Sequence, residues 1–194
     1  MVKSLIIAGV GGQGVLLSAN LFTEVLRRAS YDIKSSEIHG MSQRGGDIIS
    51  TVRWGKKVYS PIIGKNEADY LLSLEKLEAL RNIPYLKPDG ILLVNKYELN
   101  PLTVSSGFAP YPENIIETLK SLVTVYEIDA FNTAFELGNA RAMNIVMIGG
   151  FSYFTEIEQD LWKEAMEAIS PAKHLSVNIQ AFEYGYLEAQ KQSK

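Results

Sequence analysis

The chain has 194 residues, 46% hydrophobic and 21% charged, with a formal net charge of −3 from 19 basic and 22 acidic side chains. That is the composition of one globular domain spanning residues 1–194, with no basic surface for nucleic acid and no run near the roughly 18 apolar residues of a membrane span. It has no cysteine, which excludes disulfides, thiolate nucleophiles, thiolate-held zinc and cysteine-ligated iron–sulfur clusters from this chain.

The first predicted element is Ser4–Gly9, a continuous apolar run with the pattern of a strand buried on both faces. It runs straight into a glycine-rich loop rather than a cleavage site, so no secretory signal is expected and the chain reads as cytoplasmic. Val15, Ala19, Phe22, Val25, Leu26 and Ala29 then recur at helical spacing, predicting a helix from Gly14 to about Ala29. "YDIKSSEI" and "DIISTVRWG" follow as strands, the second alternating Ile48, Val52 and Trp54 against Thr51 and Arg53. "ADYLLSL" predicts a buried strand, "EKLEALRNI" a short helix, and "GILLVN" a strand after the turn at Pro88-Asp89-Gly90.

A helix is predicted from Pro112 to near Ser121, then a strand over "VTVYEID". Asp129 is placed to cap the helix "AFNTAFEL", which Gly138 would stop. Three helical segments close the chain: the apolar Arg141–Phe154, the amphipathic "IEQDLWKEAMEAI", and "NIQAFEYGYLEAQKQ". Alternation of strands and helices predicts a three-layer α/β/α, Rossmann-like sandwich with a mostly parallel sheet, an antiparallel edge from the half-polar "STVRW" strand, and a helical C-terminal third.

"GVGGQG" places Gly9, Gly11 and Gly14 in the spacing G-x-G-x-x-G, after a strand and at the start of a helix. Such glycines permit a tight turn, close approach of an anion to the backbone, and close helix–strand packing, while free N–H groups at the helix start favour phosphate. Packing alone is the alternative. A dinucleotide enzyme also needs an acidic residue about 20 residues on. Lys34, Ser35 and Ser36 stand there, with Asp32 early and Glu37 late, which weakens an NAD reading. Gln13 adds an amide suited to a ligand or to the loop itself.

The second glycine stretch is Arg44-Gly45-Gly46, between the second and third strands. Arginine presents a planar fork of donors matched to phosphate or carboxylate, and the adjacent glycines leave the backbone open to a ligand or a partner chain. A solvated arginine in a turn is the plainer reading. His39 has no legible catalytic partner, and His174 is expected to be exposed. Glu127 and Asp129 share a strand face, but a solvated carboxylate and an N-cap explain them. Asn144 and Gly149-Gly150 interrupt an apolar helix, by close helix packing or by a subunit contact. No catalytic residue and no metal ligand set is assigned to this chain.

The stretches "IAGVGGQGV", "HGMSQRGGDIISTVRWG", "VYSPIIGKNEADYLLSLEKLEALR" and "FELGNARAMNIVMIGGF", in that order, resemble the gamma subunit or domain of the 2-oxoacid:ferredoxin oxidoreductases. Ser42-Gln43 before Arg44 is similar to the indolepyruvate branch. The resemblance implies a subunit of a hetero-oligomer that oxidatively decarboxylates an aryl 2-oxoacid to an acyl-CoA and passes electrons to ferredoxin. It also implies that thiamine diphosphate, Mg and the iron–sulfur clusters sit on partner subunits. This chain has no cysteine and lacks the family's Gly-Asp-Gly followed by Asn for magnesium and thiamine diphosphate. By itself it is therefore expected to be inactive. Carried over by motif, Gly9, Gly11, Gly12, Gln13 and Gly14, with Arg44, Gly45 and Gly46, would lie by coenzyme A (CoA) or at the subunit junction. The alternatives are a free-standing Rossmann-like NAD or flavin binder and a structural assembly subunit.

Overall fold

The computed structural model describes residues 1–40 and 46–194. One six-stranded sheet orders the molecule as β2-β3-β1-β4-β5-β6. Its strands are β1 (Lys3–Val10), β2 (Asp32–His39), β3 (Asp47–Gly55), β4 (Ala68–Ser73), β5 (Leu86–Asn95) and β6 (Thr124–Ile128). β1, β4, β5 and β6 run parallel. β3 runs antiparallel to both β1 and β2, so it alone opposes the other five strands, and β2 is outermost. The half-polar β3 therefore stands one place in from the edge. Its Thr51 hydroxyl donates to the Pro61 carbonyl at 3.1 Å and Arg53 donates to the Ile62 carbonyl at 2.9 Å, which satisfies the polar alternation.

Two hydrophobic layers flank the sheet. On one face α1 (Val15–Arg28), α6 (Met143–Ser152), α7 (Gln159–Ile169) and α8 (Ala172–Gln192) pack around Phe22, Trp54, Phe151, Trp162 and Phe182. Phe22 and Trp162 stack there at 5.5 Å, while Trp54 and Phe151 meet Phe22 edge-on. On the other face α2 (Lys76–Asn82) and α4 (Ile115–Leu122) cover Ile6, Leu71, Leu92 and Val94. The short α3 (Leu102–Ser105) belongs to an excursion after β5, and α5 (Ala130–Glu136) follows β6. Asp129 caps α5, its carboxylate accepting from the Asn132 N–H at 3.4 Å, as the sequence predicts.

All ten residues of α6 are buried, so this helix has no solvent face. It is held against α8 by glycine on both sides. A Cβ on Gly149 would overlap the Phe182 carbonyl, and one on Gly185 would overlap the Val146 carbonyl. Of the two readings of Gly149-Gly150, the structure has close helix packing within the chain. α8 also begins six residues earlier than its amphipathic pattern suggests, at Ala172 after Pro171, and this places His174 in its first turn, half-buried. No helix among the described residues is long and apolar enough to cross a membrane.

Candidate functional site

The crossover from β1 leads through α1 on one face, whereas those from β4 and β5 lead through α2 and α4 on the other. The chain thus changes direction between β1 and β4, and the crevice at their carboxyl ends is a topological switch point, where open α/β sheets collect ligands. The glycine loop fills that position. Gly9, at the end of β1, has no room for a side chain, because a Cβ would fall 2.9 Å from Val15 Cγ2 and 3.2 Å from Leu74 Cβ. Gly12 and Gly14 adopt φ of 95° and 89°, the left-handed region where only glycine is unstrained.

Gln13 is 6% exposed, and its amide oxygen accepts the Val10 N–H at 2.8 Å. It staples the loop from inside. Its Nε2 is buried with no partner among the described residues. The Gln13 N–H donates to the Val10 carbonyl at 3.1 Å, and the Gly11 N–H donates to the Gly46 carbonyl at 3.0 Å. The second contact joins the two glycine stretches that the sequence singled out. Gly12 and Gly14 donate to no described group, and α1 starts with no side-chain cap and no acidic residue in its first turn. Those N–H groups are the anion-suited donors of the loop. Arg44 and Gly45 lie outside the described residues, while Gly46 is half-buried beside Gly11.

The loops at neighbouring strand ends are pinned by residues that the sequence did not single out. Asn95 donates from Nδ2 to the Leu74 carbonyl at 3.2 Å and accepts the Ala130 N–H at 3.0 Å, tying the ends of β4, β5 and β6 together. Glu75, 1% exposed, accepts from the Glu78 N–H at 2.9 Å, the Leu99 N–H at 3.2 Å and the Tyr111 hydroxyl. Both ends of the excursion from Leu99 to Tyr111 are thereby fastened to one carboxylate. Burial, then the neighbouring Glu75 carboxylate, push the Tyr111 phenol far above its ordinary pKa, so it remains a donor. Burial likewise raises the Glu78 carboxyl; Arg81 opposes this, and Glu75 and Asp47 add to it.

The dinucleotide alternative meets a topological obstacle. An acidic residue for ribose should end a strand adjacent to β1 and parallel to it. Here β3 intervenes, placing the end of β2 two strand spacings, about 10 Å, from β1. Asp47, which does stand opposite Val10, lies with its carboxylate against Gly40, whose N–H donates to the Asp47 carbonyl at 2.8 Å. Asn144, 3% exposed, sits on the other side of the loop with its Nδ2 3.5 Å from the Gly14 carbonyl. A Cβ on Gly14 would fall 2.8 Å from that nitrogen, so the asparagine packs inside the chain. Among the described residues no group of three or more His, Cys, Asp or Glu could hold a metal ion.

Comparison with known proteins agrees with this geometry. Indolepyruvate oxidoreductase subunit IorB of Thermococcus kodakarensis is 38% identical over 97% of the chain and 96% of its own length. The fold matches that of the keto/oxoacid ferredoxin oxidoreductase gamma subunit of Geobacter sulfurreducens, with a TM-score of 0.74 and 22% identity over 97% of this chain and 99% of that one. It also matches part of the Magnetococcus marinus 2-oxoglutarate:ferredoxin oxidoreductase, a structure with 2-oxoglutarate, coenzyme A and succinyl-CoA bound. There the TM-score is 0.75 at 20% identity, over 98% of this chain but 31% of the larger one. The model of the pyruvate ferredoxin/flavodoxin oxidoreductase family matches residues 4–188, and the chain belongs to that family.

Proposed function

We propose that this chain is the subunit of a 2-oxoacid:ferredoxin oxidoreductase that holds coenzyme A, in a complex acting on indolepyruvate or a related aryl 2-oxoacid in the cytoplasm. The observation that carries the reading is the hydrogen bond from the Gly11 N–H to the Gly46 carbonyl, 3.0 Å, at the switch point of the sheet. It joins Gly46 to the glycine loop, and this supports a role for the adjoining Arg44-Gly45 with that loop in binding an anion. The Gly12 and Gly14 N–H groups, the start of α1 and the Arg44 guanidinium would grip the diphosphate and so direct the thiol toward the acyl group.

The remaining chemistry belongs to partner subunits. With no cysteine in its 194 residues the chain supplies no thiolate to an iron–sulfur cluster, and thiamine diphosphate, Mg, the clusters and the ferredoxin contact are assigned to other chains. The 31% share of the Magnetococcus marinus chain that this fold covers supports a division of labour among several domains. Titration of coenzyme A into the assembled complex tests the role of this chain. Arg44→Ala is expected to weaken binding at least tenfold, the scale of a lost charge-assisted phosphate contact. Unchanged affinity and turnover would contradict the assignment.

A further inference from the structure

The two margins of the sheet are finished differently. At β6 the side chain of Gln192, at the end of α8, takes the place of a neighbouring strand. Its Nε2 donates to the Glu127 carbonyl at 2.7 Å, and its Oε1 accepts the Glu127 N–H at 3.1 Å. That amide blunts the edge. At β2 nothing comparable is present among the described residues. The strand runs eight residues, Asp32–His39, with no proline and no break in its pairing with β3. Its last three residues, Glu37, Ile38 and His39, are exposed, Ile38 at 59%. A long, regular edge of this kind is a template for another strand.

Which backbone groups of β2 point outward follows from its pairing. The Gly40 N–H donates to the Asp47 carbonyl at 2.8 Å, one step beyond the His39–Ile48 pair. Antiparallel pairs alternate between hydrogen-bonded and non-hydrogen-bonded, so Asp32, Lys34, Ser36 and Ile38 turn their N–H and C=O groups toward β3. Ile33, Ser35, Glu37 and His39 turn theirs away from the sheet. The bond from Gly11 to Gly46 has the matching phase, β3 serving β1 and β2 with alternate residues. Among the described residues one group reaches the outer row. It is the Lys34 ammonium, 3.2 Å from the Ile33 carbonyl and also paired with Asp32 at 3.3 Å.

We propose that the β2 edge pairs antiparallel with β2 of a second copy of this chain, about a two-fold axis at Ser36, so that the two sheets become one. The strand is self-complementary in that register. Ile33 faces His39 and Ser35 faces Glu37 in both directions, which uses every outward N–H and C=O and sets the Ser35 hydroxyl beside a carboxylate that accepts from it. On the other face of the ribbon Ser36 meets Ser36, and the Lys34 stem covers the exposed Ile38. No like charges oppose each other. Moving the axis to Glu37 would set two carboxylates face to face. Moving it to Ser35 would set Glu37 against Ile33 and leave His39 beyond the end of the partner's strand. A partner of different sequence would not require this internal match, and because both copies present the same surface the contact closes as a dimer.

Because the sequence has no cysteine, a single introduced thiol reads the register. At the axis the two Ser36 Cα atoms would stand about 4.5 Å apart as a non-hydrogen-bonded pair, within disulfide range, whereas Ser35 would lie roughly 8 Å from its own copy and out of range. Ser36→Cys should therefore oxidise to a covalent dimer about tenfold faster than Ser35→Cys, both in the chain alone and in the assembled oxidoreductase. Light scattering of the wild-type chain should give a dimer. Ser35→Pro removes an outward N–H and spares the bonds to β3, so it should weaken dimerisation about tenfold with an unchanged circular dichroism spectrum. A monomeric wild-type chain at micromolar concentration, equal cross-linking of the two cysteine variants, or a folded Ser35→Pro dimer of wild-type affinity overturns the proposal. Failure of Ser36→Cys to cross-link in the assembled oxidoreductase overturns it too, and would leave β2 to a different subunit.

Discussion

At the carboxyl edge of the sheet the two faces use their polar groups differently. On the α2 face Asp47, Glu75 and Glu78 crowd together, close enough that Glu75 and Asp47 both help to hold the Glu78 carboxyl above its ordinary pKa. On the other face α1 and α8 start with no side-chain cap and no acidic residue in the first turn, while the turn that leads into α6 is capped by the Asn139 side chain. Both faces bury polar groups at the ends of parallel strands, but the acidic one spends them internally. Glu75 accepts from Leu99, Glu78 and Tyr111 and so fastens loops. The opposite face leaves the N–H groups at the starts of α1 and α8 without side-chain caps, which at the glycine loop suits a ligand that brings its own negative charge. A second cleft farther along this edge also satisfies its charges internally, pairing Lys76 with Glu98 and Lys120 with Glu127.

The comparison can be broken most severely at the α6–α8 crossing, on the face opposite α2. Gly185→Val forces side-chain atoms into the Val146 carbonyl, and a loss of about 3 kcal/mol or more in chemical denaturation is expected. On the acidic face, Glu75→Gln removes a charged acceptor from Leu99, Glu78 and Tyr111. About 1–3 kcal/mol of stability should be lost, with faster proteolysis between Asn100 and Pro110.

The smallest effect concerns the opposite edge of the sheet. Asp69 accepts from Lys87 at 2.7 Å and from the Ser4 N–H at 2.8 Å. Burial alone would raise its carboxyl, and these partners bring it below the ordinary aspartate value. A depressed folded pKa stabilises above the unfolded value of about 3.9 and is lost as the pH falls through the folded one. The stability gap between wild type and Asp69→Asn should therefore be constant near neutrality and shrink on acidification below about pH 4, measured by denaturant melts. Coenzyme A binding should not respond.

How much of this was legible in the sequence depended on how local each signal was. The β1–loop–α1 unit was legible because Gly9, Gly11 and Gly14 and the periodic Val15–Ala29 stretch act within about 20 residues. The insertion of β3 between β1 and β2 was not, since strand neighbours are chosen by pairing and not by pattern. Gly149-Gly150 allowed two readings because the deciding partner, Gly185, lies a helix away in α8. Arg141 and His174 meet only when α6 and α8 pack, and the missed first turn of α8, "AKHLS", has too few apolar positions to show a helical period. Glu75 and Asn95 escaped notice because a single buried polar residue has no signature until its partners are known.

The central claim is that coenzyme A is held at the carboxyl edge of this chain, at the glycine loop. The structure of the assembled oxidoreductase with coenzyme A bound tests it most directly. The account predicts the diphosphate against the Gly12 and Gly14 N–H groups. Coenzyme A lying wholly on other subunits, with the glycine loop packed only against protein, would contradict it.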